Sequence, residues 1–235
     1  WLLGRSFSFT GHATDLFRDR VALRDKIRRA RFIVCISLFH RDSYLNEGAD
    51  PDKLHLAYCG IDPKLFRVQR RERAQGESLQ ILSSGRLVEK KGFADLITAG
   101  GQLRKRGVNC ECVIAGSGPL EEQLRRLAEE LGVAEIVRIT GRALQQEEIP
   151  GFMATGDIYC LPCVWAADGD VDGLPQMLME AMACGCPVIS TRLVGIPDLV
   201  VDGETGILVA PNSPAEIAGA VIRLAGDPGL GRGFR

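Results

Sequence analysis

The sequence predicts an α/β protein built on a doubly wound parallel sheet, and two patterns from about Leu79 onward predict it. Short apolar segments alternate with helical segments of about 10–14 residues, which is the order of repeated βαβ units. The apolar segments are continuous, as expected for strands that are buried on both faces of a parallel sheet. These patterns favour a Rossmann-like domain, whose ligands bind at the carboxyl ends of the strands.

The elements of this domain follow one another without long gaps. Strands are predicted at LQILSSG, CECVIAG, EIVRITG, DIYCLPC, PVIST and TGILVA. Helices are predicted at GFADLITAGGQLRKRG, PLEEQLRRLAEELG, QEEIPGFMATG, PQMLMEAMACG and SPAEIAGAVIRLAG. The second helix has an apolar face formed by Leu120, Leu124, Leu127 and Leu131. We expect Pro150 to break the third helix, and Ser213 with Glu216 to cap the last.

Residues 1–78 carry a different pattern. LFRDRVALRDKIRRA predicts a basic helix, RFIVCIS a strand, FHRDSYLN a helix, and KLHLAYCGID a strand and turn. We therefore predict the last part of a second α/β unit at 1–66, a charged linker at 67–78 and the main domain at 79–235. The basic helix has seven Lys and Arg residues between Arg18 and Arg31, typical of a solvated face or of contact with an anionic membrane surface.

The bulk composition excludes several classes of protein. A net charge of −1 argues against nucleic-acid binding by the chain as a whole. No apolar run reaches the ~18–20 residues of a membrane span. The first residues lack a Met and an unbroken apolar core, so we expect no secretory signal and a cytoplasmic location. The last residues stop within an apparent turn, so we expect a piece of a longer protein.

Metal binding is not predicted. Cys160 and Cys163 form one C-x-x-C, but no second such pair or His pair completes a zinc site. Asp168, Asp170 and Asp172 have the spacing that begins a calcium-binding EF-hand loop, but the bidentate Glu at loop position twelve is missing.

Glu180 is the first candidate functional residue. It lies in the apolar helical run MLMEAMA, where an unpaired carboxylate would cost several kcal/mol. We expect its partner to be a pair of ribose hydroxyls, an internal Arg such as Arg192, or a neighbouring backbone group. Pro175 suits the first turn of this helix, and the preceding Gly173 and Leu174 should bring backbone N–H groups close to an anion.

Two glycine-containing loops follow predicted strands. SSGRLVEKKGF places Arg86 and Lys91 at the carboxyl end of a strand, where two cations suit a diphosphate, although surface charge is the alternative. VIAGSGPLEEQL contains a lone G-x-G that ends at Gly118. Because the full dinucleotide fingerprint is missing, a Rossmann oxidoreductase is disfavoured.

Five stretches in this order resemble family four retaining glycosyltransferases of the GT-B fold. They are SGRLVEKKG, VIAGSGPLEEQLRRLAEELG, ITGRAL, DGLPQMLMEAMACGCPVIST and LVVDGETGILVAPNSPAEIAGAV. The loop AADGDVDGLPQMLMEAMA is similar to those of bacterial exopolysaccharide enzymes of the colanic-acid and amylovoran type. The resemblance covers about residues 80–235 strongly and 5–65 more loosely.

The resemblance implies a role for each donor-side residue. Glu180 would bind the ribose, and Asp172, at the first position of the family's E-x7-E pattern, would contact the transferred sugar although it is one methylene shorter than Glu. Arg86 and Lys91 would stabilise the departing diphosphate. The remaining donor-binding residues would be Gly173, Leu174, Pro175, Arg142, Ala143 and Gly118.

On the acceptor side, FSFTGHATDLF resembles the family stretch whose His faces the reaction centre, which makes His12 a catalytic candidate. The glycine-rich loop that opens the family's first domain and the helix that crosses back at the end are absent. We therefore expect most of the acceptor site to lie outside this sequence, and the chain alone to be inactive.

The resemblance implies transfer of a hexose from a UDP- or GDP-sugar to a glycan or lipid-linked acceptor, with retention, in polysaccharide biosynthesis. It implies no cofactor, no metal and no nucleic acid, and allows peripheral contact with the inner face of the cell membrane. Two alternatives stay open: a module that binds a nucleotide sugar without turnover, and a sugar-nucleotide epimerase of the same fold.

Overall fold

Two parallel β-sheets organise the chain in the computed structural model, which describes residues 5–68, 73–74, 76–227 and 231. The smaller sheet has the order β1-β2-β3, formed by β1 (Phe9–Gly11), β2 (Ile33–Cys35) and β3 (Leu54–Leu56). The larger sheet has the order β6-β5-β4-β7-β8-β9. Its strands are β4 (Leu79–Ser84), β5 (Cys110–Ala115), β6 (Val137–Ile139), β7 (Ile158–Leu161), β8 (Val188–Thr191) and β9 (Ile207–Val209).

The order of the larger sheet confirms the predicted doubly wound fold. The chain proceeds outward from β4 to β6, then returns to the other side of β4 and continues outward from β7 to β9. Every described ladder between these strands is parallel. The order therefore reverses between β4 and β7, and such a switch point opens a crevice at the carboxyl ends of the strands.

Helices surround the two sheets. Before the predicted linker lie α1 (Leu23–Arg29) and α2 (Leu38–Asn46). After it lie α3 (Phe93–Lys105), α4 (Glu121–Glu130), α5 (Ile149–Met153), α6 (Gln176–Ala183), α7 (Ile196–Leu199) and α8 (Pro214–Gly226). Helix α7 was not predicted, because four residues are too few to show a helical period. None of the described helices combines the length and the apolar character that crossing a membrane would require.

The two sheets have separate apolar cores. The larger core contains buried residues of β4, β5, β7 and β8, together with the inner faces of α3 and α8. The smaller core holds Leu16, Ile27, Ile33 and Tyr44. Phe66, which lies just before the predicted linker, packs in the larger core. Within that linker, residues 69–72 and 75 lie outside the described part of the chain.

The predicted basic helix is wrong as a single element. A π-helical turn covers Thr14–Arg18, and α1 starts only at Leu23. The π-helical turn ends with Asp19 as its C-cap, and Ala22, with a left-handed φ of 52°, is the N-cap residue of α1. The break lets Arg20 and Arg24 both pair with Glu47.

Three local predictions also need correction. Pro150 does not break a helix; it lies in the first turn of α5, where it has no N–H to lose. Ser213 is the N-cap residue of α8, but its side chain does not cap the helix, and Glu216 N donates to the carbonyl oxygen of Ser213 at 3.1 Å. The carboxylate of Glu216 accepts a hydrogen bond from Ala210 N at 2.9 Å. Leu131 lies beyond the end of α4 and is exposed.

Candidate active site

A cavity of about 650 Å³ opens at the switch point of the larger sheet. We refer to it as the cleft. Its walls come from both sides of the predicted linker and include His12, Ile36, Cys59, Lys90, Lys91, Leu144, Ile149, Asp172, Gly173, Leu174, Pro175 and Glu180. The loop after β4 supplies the two lysines, and the segment between β7 and α6 supplies the stretch from Asp172 to Glu180. The cleft therefore has the position that the fold predicts for a ligand site.

Glu180 lies in the wall of the cleft and is only 7% exposed. Among the described residues, no group lies within hydrogen-bond distance of its Oε2 atom, which is itself buried. Burial raises the pKa of this carboxyl above its usual range. An unsatisfied buried acceptor costs about 1–3 kcal/mol, so the residue destabilises the unliganded protein.

The internal cation proposed as an alternative partner lies elsewhere. The guanidinium of Arg192 donates to the carbonyl oxygen of Leu208 at 2.6 Å and pairs with Asp202. These described contacts of Arg192 connect the ends of β8 and β9, and none of them involves Glu180. The alternative in which Arg192 neutralises Glu180 is wrong in this structure.

Asp172, which also lines the cleft, is held by two lysines. Its carboxylate pairs with Lys91, and its Oδ1 atom lies 3.2 Å from the Nζ atom of Lys90. Lys90 also lies 3.1 Å from Asp170. Burial lowers the pKa of Lys90, but the two carboxylates outweigh burial and the net pKa is raised. Lys90 is therefore charged at neutral pH.

Lys90 is a residue that sequence reasoning missed. The signal was present in EKKG, where two adjacent lysines follow the strand, but only one of them was assigned to the site. Glu89–Lys91 forms a single 3-10 turn, and this tight turn brings both ammonium groups to the acidic loop.

Arg86 was predicted to bind the diphosphate, but it does not line the cleft. Its side chain is exposed. Gly85, with a φ of 145°, turns the chain away from β4 in a conformation that side chains rarely adopt. The next residue, Arg86, thereby lies at the surface, and the cationic wall of the cleft is formed by lysines.

Two further residues predicted to bind the donor, Arg142 and Ala143, also lie elsewhere. Arg142 and Ala143 are exposed and do not line the cleft, whereas the next residue, Leu144, does. The guanidinium of Arg142 makes two hydrogen bonds to Glu148, at 2.8 and 3.0 Å. These contacts lower the pKa of Glu148 to about 2 and fix the turn that precedes α5.

Gly118 is a packing residue in this structure rather than a wall of the cleft. A Cβ atom at this position would lie 2.6 Å from the carbonyl oxygen of Leu87. Leu87 N also donates to the carbonyl oxygen of Ser117 at 3.0 Å. The lone G-x-G therefore lets the loop after β5 lie directly against the loop after β4.

The segment that leads into α6 forms the floor of the cleft. Gly173, Leu174 and Pro175 all line it, as predicted. Pro175 is the N-cap residue of α6 rather than part of its first turn. The first amides of a helix have no carbonyl partner within the helix, so this end of α6 offers N–H donors and a positive dipole end to an anion.

His12 lines the cleft from the side of the smaller sheet. It follows β1 directly and is exposed, and its backbone N–H donates to the carboxylate of Asp15 at 3.4 Å. The structure thus brings His12, Lys91, Asp172 and Glu180 into one cleft, together with the Gly173–Pro175 segment. Of the predicted site residues, Arg86, Arg142, Ala143 and Gly118 lie outside its walls.

The described residues contain no group of three or more His, Cys, Asp or Glu side chains placed to hold a metal ion. Cys160 and Cys163 are both buried. Asp168 and Asp170 face the guanidinium of Arg18 at 3.6 and 3.3 Å, so the acidic loop has protein cations as its partners.

Comparison with known proteins identifies the family. The family model described as glycosyl transferases group 1 matches residues 66–233. The chain belongs to this family. The match includes the larger sheet and every residue of the cleft that follows the predicted linker.

Two curated glycosyltransferases are similar in sequence to this chain. The Salmonella typhimurium protein named colanic acid biosynthesis glycosyltransferase WcaL is 36% identical over 191 residues, which are 81% of this chain and 47% of that protein. The amylovoran biosynthesis glycosyltransferase AmsK of Erwinia amylovora is 33% identical over 220 residues, which are 91% of this chain and 54% of that protein. The chain thus spans about half the length of these relatives.

A solved structure shares the fold. Anabaena HepE in complex with UDP and glucose has a TM-score of 0.81 and 20% identity, covering 99% of this chain and 65% of that one. The expected GT-B fold and the resemblance to colanic-acid and amylovoran glycosyltransferases are confirmed.

Proposed function

We propose that the cleft binds a UDP- or GDP-sugar and that the full-length protein transfers its hexose to a glycan or lipid-linked acceptor with retention. The observation that carries this proposal is the buried Oε2 atom of Glu180, which has no hydrogen-bond partner among the described residues. Two adjacent ribose hydroxyls would donate to it and replace the lost hydration. Lys90 and Lys91 line the same cleft, which suits a ligand with hydroxyls at one end and phosphates at the other.

The proposed mechanism is electrostatic. As the bond between sugar and diphosphate breaks, negative charge develops on the departing phosphate. This charge is stabilised by Lys91, Lys90 and the N-terminal amides of α6. The cleft is partly enclosed, and preorganised dipoles and cations are most effective in such surroundings. The acceptor hydroxyl would attack from the face that the diphosphate leaves, and the leaving phosphate would take its proton. Neither a metal nor a cofactor enters this scheme.

Asp172 and His12 would contact the transferred sugar. The carboxylate of Asp172 is positioned by its lysine partners. A sugar hydroxyl would therefore donate to a carboxylate that is already paired with Lys91. His12 lies in the cleft on the acceptor side. Replacing His12 by Ala should slow turnover of the full-length protein with little effect on donor affinity, and full turnover would assign His12 a structural role.

The test is nucleotide release by the full-length protein from a panel of UDP- and GDP-sugars, with and without acceptor. A glycosyltransferase releases nucleotide when acceptor is present, and NMR of the product shows whether the anomeric configuration is retained. Calorimetric binding without release would instead indicate a nucleotide-sugar-binding module. Conversion of the sugar while it stays attached to the nucleotide would indicate an epimerase.

We place the reaction in exopolysaccharide biosynthesis, which the names of both curated relatives support. We also propose cytoplasmic donor binding with peripheral contact between the α1 region and an anionic membrane. Glu47 and Asp25 neutralise part of its charge through Arg20, Arg24 and Arg28. Sedimentation with vesicles that contain phosphatidylglycerol, compared with phosphatidylcholine vesicles, tests this contact.

A further inference from the structure

Helix α2 buries two polar aromatic side chains on one face. His40 and Tyr44 are four residues apart, so they lie one turn above each other, and both are 0% exposed. Each of them faces a glycine that adjoins a residue of the cleft. The pair therefore links α2 to two separate parts of the cleft.

His40 occupies the space in which Gly173 would carry a side chain. A Cβ atom on Gly173 would lie 2.5 Å from Cε1 and 2.9 Å from Nε2 of His40. Real Cβ atoms essentially never lie this close to an unbonded heavy atom. The sequence suggested that Gly173 lets a ligand approach the backbone, whereas the structure shows that its missing side chain makes room for His40.

The start of α2 makes further contacts with the larger unit. A Cβ atom on Gly195 would lie 2.8 Å from the Oγ atom of Ser37, and Gly195 N donates to the carbonyl oxygen of Gly173 at 3.0 Å. The backbone N–H of Leu38 donates to the carboxylate of Asp198 at 2.5 Å. The first turn of α2 is thus fixed to the same segment that leads into α6.

Tyr44 repeats the arrangement one turn later. A Cβ atom on Gly11 would lie 1.7 Å from its hydroxyl oxygen and 2.6 Å from Cζ. Gly11 is the last residue of β1 and immediately precedes His12. The position of the His12 backbone is therefore limited by the ring of Tyr44, just as the position of Gly173 is limited by the ring of His40.

Both side chains act through their shape rather than through charge. Ser37 Oγ accepts a hydrogen bond from the backbone N–H of His40 at 3.2 Å, and it lies 2.7 Å from the Nδ1 atom of the His40 ring. Among the described residues, neither Nε2 of His40 nor the hydroxyl of Tyr44 has a hydrogen-bond partner. Burial, with a smaller contribution from His12, lowers the pKa of His40 to about 4, so the ring is neutral at physiological pH.

We infer that α2 is a positioning helix that sets the distance between His12 and the Gly173–Pro175 segment of the donor site, with His40 and Tyr44 as its two positioning residues. The inference rests on the proposed donor site. According to this inference, α2 aligns His12, on the acceptor side, with the N-terminal end of α6, where the anion would bind.

The first test is a cycle of Gly173→Ala, His40→Ala and the double variant, with calorimetric binding of UDP, GDP and the matching nucleosides. Gly173→Ala should weaken diphosphate binding at least tenfold and leave nucleoside binding within about twofold. Adding His40→Ala should recover most of that loss, because the new methyl group fills the space of the removed ring. Gly219→Ala on the exposed face of α8, where an added Cβ atom would meet no described residue outside its own helix within 4 Å, is the matched control.

Additive losses in this cycle would overturn the inference, as would an equal loss for nucleoside and diphosphate. If the wild type binds neither UDP nor GDP, the proposed function is wrong, and the positioning is then decided by hydrogen exchange. Faster exchange of the Gly173 and Leu174 amides in His40→Ala would support it, and unchanged exchange would contradict it.

The second test concerns Tyr44 in the full-length protein. Tyr44→Ala should lower kcat with little change in the donor KM, because it frees the His12 backbone without touching the donor residues. Tyr44→Phe should keep kcat near the wild-type value, because the ring shape is retained. A Phe variant as impaired as the Ala variant would contradict a role through shape.

Discussion

The carboxylate of Asp172 is paired with the ammonium group of Lys91 in the wall of the cleft. Lys90 lies within ion-pair distance of the same carboxylate, and the side chains of all three residues are largely buried. The cationic wall proposed for the diphosphate is thus already in contact with an acid of the chain. A bound diphosphate would have to share these lysines with Asp172 or replace it.

Asp172→Asn should therefore strengthen nucleotide binding while it weakens catalysis. The amide keeps the shape of the carboxylate but no longer competes with the diphosphate for the lysines. We expect UDP or GDP affinity to rise about threefold to tenfold at low salt, roughly 1 kcal/mol. Calorimetry at low and high salt measures this, and the gain should shrink as salt screens the charges.

Asp168→Asn is the matched control for that experiment. Its carboxylate belongs to the same loop but is exposed and faces Arg18 at 3.6 Å. Its nucleotide affinity should stay close to that of the wild type. Unchanged or weaker binding in Asp172→Asn would show that the carboxylate does not compete with the ligand.

Lys91→Met should separate phosphate binding from nucleoside binding. The variant keeps the apolar stem and removes the charge, so UDP or GDP affinity should fall by about 1.5–3 kcal/mol, the range for a hydrogen bond to a charged group. Uridine or guanosine affinity should change little. Lys105→Met, at the exposed end of α3, is the control.

Arg86→Met provides a comparison within the same loop. Because Arg86 does not line the cleft, its loss should cost less diphosphate affinity than the loss of Lys91. A larger effect at Arg86, or equal losses of nucleoside and diphosphate at Lys91, would contradict the assignment of the lysines as the phosphate-binding wall.

Cys59 should report occupation of the cleft. It is half-buried and lines the cleft, whereas the other seven cysteines are buried, and burial raises the pKa of Cys35 to about 11 and of Cys112 to about 12. Because the thiolate is the reactive form, a maleimide should modify Cys59 first. UDP or GDP should slow that reaction severalfold, as followed by peptide mass spectrometry.

Cys59→Ser is the control for the labelling experiment and should remove the fast phase. A rate that is the same with and without saturating nucleotide would mean that the ligand occupies another place. Fast labelling of a buried cysteine instead would contradict the description of the cleft wall.

Glu180→Gln should stabilise the protein in the absence of ligand. The pKa of Glu180 is raised by burial above the ordinary value of 4.5, so the folded state disfavours the charged form. The cost is absent below the ordinary pKa, where folded and unfolded states are both protonated, and it appears as pH rises through the raised folded pKa. The variant should gain about 1 kcal/mol or more in the free energy of unfolding at neutral pH.

Urea unfolding of wild type and Glu180→Gln across the pH range measures this gain. The gain should disappear below about pH 4.5. Glu122→Gln on α4, at an exposed carboxylate, should show no comparable stabilisation. A destabilising effect of Glu180→Gln at neutral pH would show that the charged carboxylate has a partner within the protein.

The larger sheet could be predicted because mostly apolar strand segments alternate with helices that have clear periods. Strand β1 was not predicted, since its three residues, Phe-Thr-Gly, contain no apolar run. Glu180 was found from its apolar neighbours alone. That Arg192 would turn toward Asp202 instead depends on how β8 and β9 pair, which no local pattern shows.

The roles of residues in the cationic wall and the floor of the cleft could not be predicted from local sequence patterns either. Which cation after β4 faces the cleft depends on the backbone angle at Gly85 and on the 3-10 turn that follows. The reason for glycine at position 173 lies in His40, more than 130 residues earlier in the chain. Residue types could indicate that a ligand site exists, but contacts between distant segments decide what each residue does.

The most direct test of the central claim compares a nucleotide with its analogue that lacks both ribose hydroxyls, in wild type and in Glu180→Ala. If Glu180 accepts hydrogen bonds from those hydroxyls, the wild type should bind UDP or GDP about 1.5–3 kcal/mol more tightly than the 2′,3′-dideoxy analogue, and the variant should bind the two almost equally. An equal preference for the hydroxylated nucleotide in both proteins would contradict the ribose-binding role of Glu180.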